Sequence, residues 1–246
     1  MRAMSVLVLA LFTIPCFASD PPKPEGGSPD PKAIVQKAQD ALKKADIVSY
    51  RMQYSSTGWA TEFVPNLDGE VTVGKQSQQK MERFVAKVKL TPPKQTEAQD
   101  FTVGADGNVY YLVHAANKTV YEDLDPAVLG PYGRNLRRAV LPEFGEAEPF
   151  AEALKSGELT YEGTEKLGDE ECHKVRIKLA QPPESIWWFS AKDGMPRQQR
   201  RILMREDKEG TTQITLSSLA AKSKPDKDPF KCVVPEGFTK TDEFAP

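Results

Sequence analysis

From residue 48 to residue 221 the chain repeats one pattern. Short runs of β-branched and aromatic residues, partly alternating with polar ones, are divided by Gly or Pro turns. VSYRMQYSSTGW (48–59), GEVTVG (69–74), KMERFVAKVKL (80–90), AQDFTVG (98–104), NVYYLVH (108–114) and KTVYEDL form a first series. ELTYEGTEKL (158–167), ECHKVRIKL (171–179), SIWWFS (185–190), RQQRRILMRE (197–206) and TTQITLSSLAA (211–221) form a second. Successive side chains on a strand point to opposite faces. Phe84, Ala86, Val88 and Leu90 therefore share one face, and His173, Val175, Ile177 and Leu179 oppose Cys172, Lys174, Arg176 and Lys178. In IWWFSAKDGMPRQQR the same rule sends Trp187 and Phe189 one way and Ile186 and Trp188 the other, so this strand is apolar on both faces. GADGN predicts a tight hairpin, because Asp-Gly accepts the positive φ angles such a turn needs.

Two stretches break the pattern. In DPKAIVQKAQDALKKAD, Asp30 is an N-cap, Pro31 suits the first helical position, and Ile34, Ala38, Ala41, Leu42 and Ala45 recur at helical spacing, predicting an amphipathic helix over about 31–45. Between Asp125 and Ser156, Asp125-Pro126 opens a helix through about Ala139, and EAEPFAEALKSG reads as a second, short helix ended by Gly157. No linker rich in Pro, Gly and Ser separates the two series of strands. The fold class this predicts is mainly β (α+β): a single curved antiparallel sheet of about eleven strands with helices on its concave face. The tail, KCVVPEGFTKTDEF, adds a last short strand.

The first residues add a compartment. Arg2, the apolar run Val6 to Ile14 and the small residues at Cys16 and Ala18 make residues 1–18 a secretory signal peptide cut after Ala18. Pro15 stands where lipidation of Cys16 would call for a small residue, so Cys16 is read as lost with the signal. Residues 19–31, SDPPKPEGGSPDP, have too little apolar surface to offset their ordering entropy and read as a disordered Pro-rich leader. The domain proper is 32–246. A membrane-spanning helix needs about 20 apolar residues, and no segment of the mature chain comes near that length, so the protein is expected in the periplasm or secreted. Two readings stand for Cys172 and Cys232: a disulfide, favoured by an oxidising compartment, or two buried thiols.

Charge changes the picture little. Lys and Arg number 33 against 35 Asp and Glu, a formal net charge of −2, and no basic block marks a nucleic-acid partner. The arginines are nevertheless grouped: Arg134, Arg137 and Arg138 in the middle helical region, and Arg197, Arg200 and Arg201 after the Trp pair. These are a solvated face, or forks of donors for backbone carbonyls, a carboxylate or a lipid head group. No catalytic residue, cofactor or metal ligand is expected. GxSxG, HExxH, CxxC and a Gly-rich phosphate loop are all missing, and alternation points Cys172 and His173 to opposite faces.

SYRMQY, TYEGTEKLGDEECHKVRIKL and IWWFSAKDGMPRQQR together resemble the outer-membrane lipoprotein carrier (LolA-like) superfamily of periplasmic lipid-binding proteins, over about residues 33–238. The resemblance implies an unclosed half-barrel whose helices cap an apolar cavity for acyl chains. Cavity candidates on the strands are Met52, Phe84, Val88, Val175, Ile177, Trp188, Ile202 and Met204. Such carriers hold their helical lid through an arginine in an early strand, for which Arg51 and Arg83 are the candidates. The function implied is a carrier or binding protein for an acyl-chain lipid or lipoprotein. The alternative is an envelope sensor of the same fold, whose partner is another envelope protein.

Overall fold

A computed structural model describes residues 28–76, 81–223 and 228–244. The expected signal peptide with its cleavage site, and residues 19–27 of the leader, lie outside the described residues. Helix α1 spans Pro31–Lys43. The Asp30 carboxylate accepts the Lys32 N–H at its start, and Ile34, Val35, Ala38 and Leu42 form its buried stripe.

The strands are β1 Ile47–Gly58, β2 Asn66–Gly74, β3 Arg83–Thr91, β4 Gln99–Asp106, β5 Tyr110–His114, β6 Thr119–Asp123, β7 Glu158–Leu167, β8 Glu170–Lys178, β9 Glu184–Ser190, β10 Pro196–Arg205, β11 Lys208–Lys222 and β12 Thr239–Thr241. They form one twelve-stranded sheet in the order β12-β6-β5-β4-β3-β2-β1-β11-β10-β9-β8-β7. Each pairing is antiparallel except β12 with β6, and the two end strands do not meet, so the sheet is an unclosed half-barrel. Ten of the pairings join neighbours in sequence or the tail to an edge. The eleventh, β1 against β11, joins the two series through the middle of the sheet.

Alternation then sorts the side chains. Tyr50, Met52 and Tyr54 of β1, Val71 and Val73 of β2, and Trp187 and Phe189 of β9 face a single large core, which α1 and residues 125–156 cover. On the opposite face of β9, Ile186 and Trp188 build a second, smaller cluster with Cys172. Lys174 and Arg200 lie over the Trp188 ring, each 5.3 Å from its centroid, and the indole N–H donates to Glu165 at 3.1 Å. Charged side chains laid along apolar surface thus make a strand with two greasy faces tolerable.

The covering segment is more broken than the sequence predicts. Instead of one helix to Ala139 there is a 3-10 turn at Pro126–Leu129, α2 over Gly130–Leu136, and a second 3-10 turn at Arg137–Ala139. The cause is Gly130-Pro131. A residue before proline is pushed out of the helical region, and Gly130 takes φ 55° to turn the chain. A later short helix, α3 over Ala151–Ser156, starts from Phe150, which holds the left-handed φ of 58°.

Candidate functional site

The resemblance directs attention to the space between the sheet and residues 125–156. The structure puts Met52, Phe84, Val88, Val175 and Ile177 on the inner face, all in the main core. Trp188 and Ile202 belong to the outer cluster, because each is an odd number of residues from an inward neighbour, and Met204 on the same face is 62% exposed. These three therefore do not line the inner space. Arg51 also points outward and pairs with Asp68 at 2.6 Å, while Arg83 pairs with Asp228 at 3.2 Å and stacks on Phe230. Both candidate arginines spend their donors away from the covering segment. Cys172 and Cys232 are free thiols: one is packed beside Trp188, and the other follows Phe230 in the tail, whose backbone carbonyl takes the Tyr111 hydroxyl.

Tyrosines do the holding instead. The buried Tyr50 hydroxyl donates to the Ala139 carbonyl at 3.0 Å and accepts the Leu141 N–H at 3.1 Å, and its ring meets Phe144 edge-on at 5.3 Å. Burial raises its pKa well above the ordinary phenol range, so it stays a donor at any physiological pH. Tyr54, four residues on and therefore on the same face, accepts from Arg138 at 3.1 Å. Arg137 reaches Glu82 at 2.6 Å. Further along, Phe150 inserts against Trp187 and Phe189, and Gln39 of α1 donates to the Pro149 carbonyl. A few polar ties and two aromatic plugs hold the segment down.

Two clefts open beneath the cover. One, of about 370 Å³, is lined by Arg134, Arg137, Arg138 and Arg201, with Val140, Leu141 and Ile214 as apolar floor. Arg201 pairs in register with Thr212 and Ser185, which places it on the inner face with Gln199 and Trp187. The other cleft, of about 350 Å³, is lined by Glu143, Glu146, Glu148 and Glu152 beside Phe150 and Trp187. Its deepest carboxyl is Glu143, whose Oε2 is shut off from water with no hydrogen-bond partner among the described residues. Burial pushes the Glu143 carboxyl up to about 6, against a partial pull downward from Arg201.

That shift has a sign. A carboxyl whose pKa is raised by folding favours the fold while neutral and disfavours it once ionised, so stability falls as pH rises from about 4.5 through 6. At about 1.4 kcal/mol per unit, Glu143→Gln is expected to add about 2 kcal/mol at pH 7.5 and nothing at pH 4. Urea unfolding at the two pH values measures this. An equal effect at both would mean that Glu143 is not the titrating group.

Among the described residues no group of three or more His, Cys, Asp or Glu side chains is placed to hold a metal ion, and no helix is long and apolar enough to cross a membrane. Neither protein-family models nor curated proteins match this chain. Solved structures do. It is similar to LprF from Mycobacterium bovis at 14% identity, covering 86% of this chain and 98% of that one, with a TM-score of 0.47. It is similar to MucB at 11% identity, covering 84% and 64%, with a TM-score of 0.48. A putative outer membrane lipoprotein-sorting protein domain from Vibrio parahaemolyticus matches at 10% identity over 82% and 97%, with a TM-score of 0.32.

Proposed function

We propose that this protein is a periplasmic carrier or binding protein for an acyl-chain lipid or lipoprotein, which residues 125–156 cover. The observation that supports this reading is the character of the cover. A largely apolar sheet face is closed by a segment of 3-10 turns and helices of seven and six residues, too short to be stable by themselves. The segment's own Leu136, Leu141 and Phe144 pack into the core against that face. A ligand enters by taking their place. Each methylene withdrawn from water contributes about 0.8 kcal/mol, so a long chain offsets the loss of the segment's contacts and stabilises the displaced cover.

Native mass spectrometry of the mature protein, purified gently from a periplasmic extract and then mixed with an acylated peptide, tests the reading. A bound lipid mass, or uptake of the acylated but not the unacylated peptide, is the expected result. A clean apo mass with no uptake would overturn it and leave a protein-interaction module of the same fold.

A further inference from the structure

We infer that the arginine-lined cleft beneath α2 is a binding site for a phosphate monoester, held by Arg134, Arg138 and Arg201. The inference rests on the acyl-chain reading only for what the phosphate is attached to. Four guanidinium groups converge on one cleft of about 370 Å³, and the single carboxylate among its lining residues, Glu82, is already engaged by Arg137 at 2.6 Å. The other three have no carboxylate within ion-pair distance among the described residues. Arg138 spends one Nη on the Tyr54 hydroxyl, while its Nε is shut off from water without a partner. A buried guanidinium N–H left unpaired is costly, and like charges gathered in a recess repel.

Overall charge does not explain the gathering, because the whole chain carries −2. Arg201 is the most telling member. Its place in the register puts it on the inner face of β10, among residues that otherwise pack beneath the cover. An arginine there, half-buried and joined by the buried polar side chains of Gln199 and Thr212, builds a wall of donors facing the arginines of the cover. The forks of Arg134 and Arg201, with the donors Arg138 does not spend on Tyr54, match the three terminal oxygens and the double charge of a phosphate monoester. The floor of Val140, Leu141 and Ile214 suits an apolar group attached to that phosphate. The volume lies at the low end for small-molecule sites, fitting a head group and not a whole acyl chain.

The site also joins the two halves of the molecule. Arg134, Arg137 and Arg138 belong to the cover and Arg201 to the sheet, so an anion between them adds a tie between cover and sheet beside those of Tyr50 and Tyr54.

The experiment compares three probes by calorimetry on the mature full chain at low salt: a soluble short-chain 1-acylglycerol 3-phosphate, the neutral 1-acylglycerol of equal chain length, and inorganic phosphate. The expected result is at least 30-fold tighter binding of the phosphate-bearing lipid than of the neutral one, with the ratio falling steeply as salt rises. In the Arg134→Ala/Arg201→Met double variant the ratio should drop below 3. Arg134 is exposed, so Arg134→Glu alone preserves the test if the double variant does not fold. Equal affinity for the charged and neutral lipids in the unaltered protein overturns the phosphate site while leaving the acyl-chain reading standing. Binding of inorganic phosphate, lost in the variant, together with failure of both lipids, keeps the site and removes the acyl-chain reading. No binding by any of the three overturns both.

Discussion

Trp187→Ala is expected to lower the free energy of unfolding by about 3–5 kcal/mol, the range for truncating a buried large aromatic. Trp187 is 2% exposed, lies edge-on to Phe150 at a centroid distance of 5.0 Å and stacks on Phe189 at 6.0 Å. Its indole N–H donates to Ser185 at 3.1 Å, so no polar group is left wanting when the ring is present. Removal empties the largest side-chain volume between sheet and cover. It also removes the surface against which Phe150, at a φ of 58°, is held. A conformation of that kind costs of order 1–3 kcal/mol and persists only when its surroundings enforce it. Urea denaturation should show a lower midpoint at unchanged slope. A loss under 1 kcal/mol would mean that the ring does not plug the core.

Tyr50→Phe is expected to cost about 2–4 kcal/mol, with a different distribution. One oxygen atom is lost, yet two buried backbone groups, the Ala139 carbonyl and the Leu141 N–H, lose their partner together, and each unsatisfied group costs about 1–3 kcal/mol. Both groups lie in the covering segment and can recover a partner only from water. The variant therefore opens locally before it unfolds. Hydrogen exchange read by mass spectrometry should show peptides spanning 137–145 exchanging much faster, while peptides from β1 and β11 slow or hasten only with global stability. Uniform acceleration across the chain would show that Tyr50 stabilises the fold as a whole and does not latch the cover.

Alternation made much of this legible. The strand pattern alone places Trp187 and Phe189 on one face and Ile186 and Trp188 on the other, and the structure agrees. What alternation cannot supply is which face is inside, since both faces of β9 are apolar; Trp188, Ile202 and Met204 lie on the outer face. The inward face is settled by what packs on it, and that depends on a segment 125–156 whose helices are too short and too interrupted to register as periodicity. The latch was hidden for a related reason. Arg51 and Arg83 stand out in sequence as charged groups in early strands, but the groups that reach the cover are the tyrosines of SYRMQY, which read as ordinary β-strand aromatics. Arg201 was within reach: counting in twos from Trp187 through Ser185 and its hairpin partner puts an arginine on the apolar face.

The pairing of β1 with β11 bears on how the chain reaches this state. One edge of β1, residues 47–58, pairs locally with β2, but the other finds its partner in residues 208–222, so the central ladder cannot zip until nearly the whole polypeptide is available. Closing a loop of that length is entropically costly before any contact repays it, and nonlocal topologies of this kind fold slowly, in milliseconds to seconds. The two hairpin series on either side assemble from neighbours. Folding is thus a race between two locally competent half-sheets and the late seam that joins them, and a chain interrupted before residue 208 would leave β1 with a bare edge open to other chains.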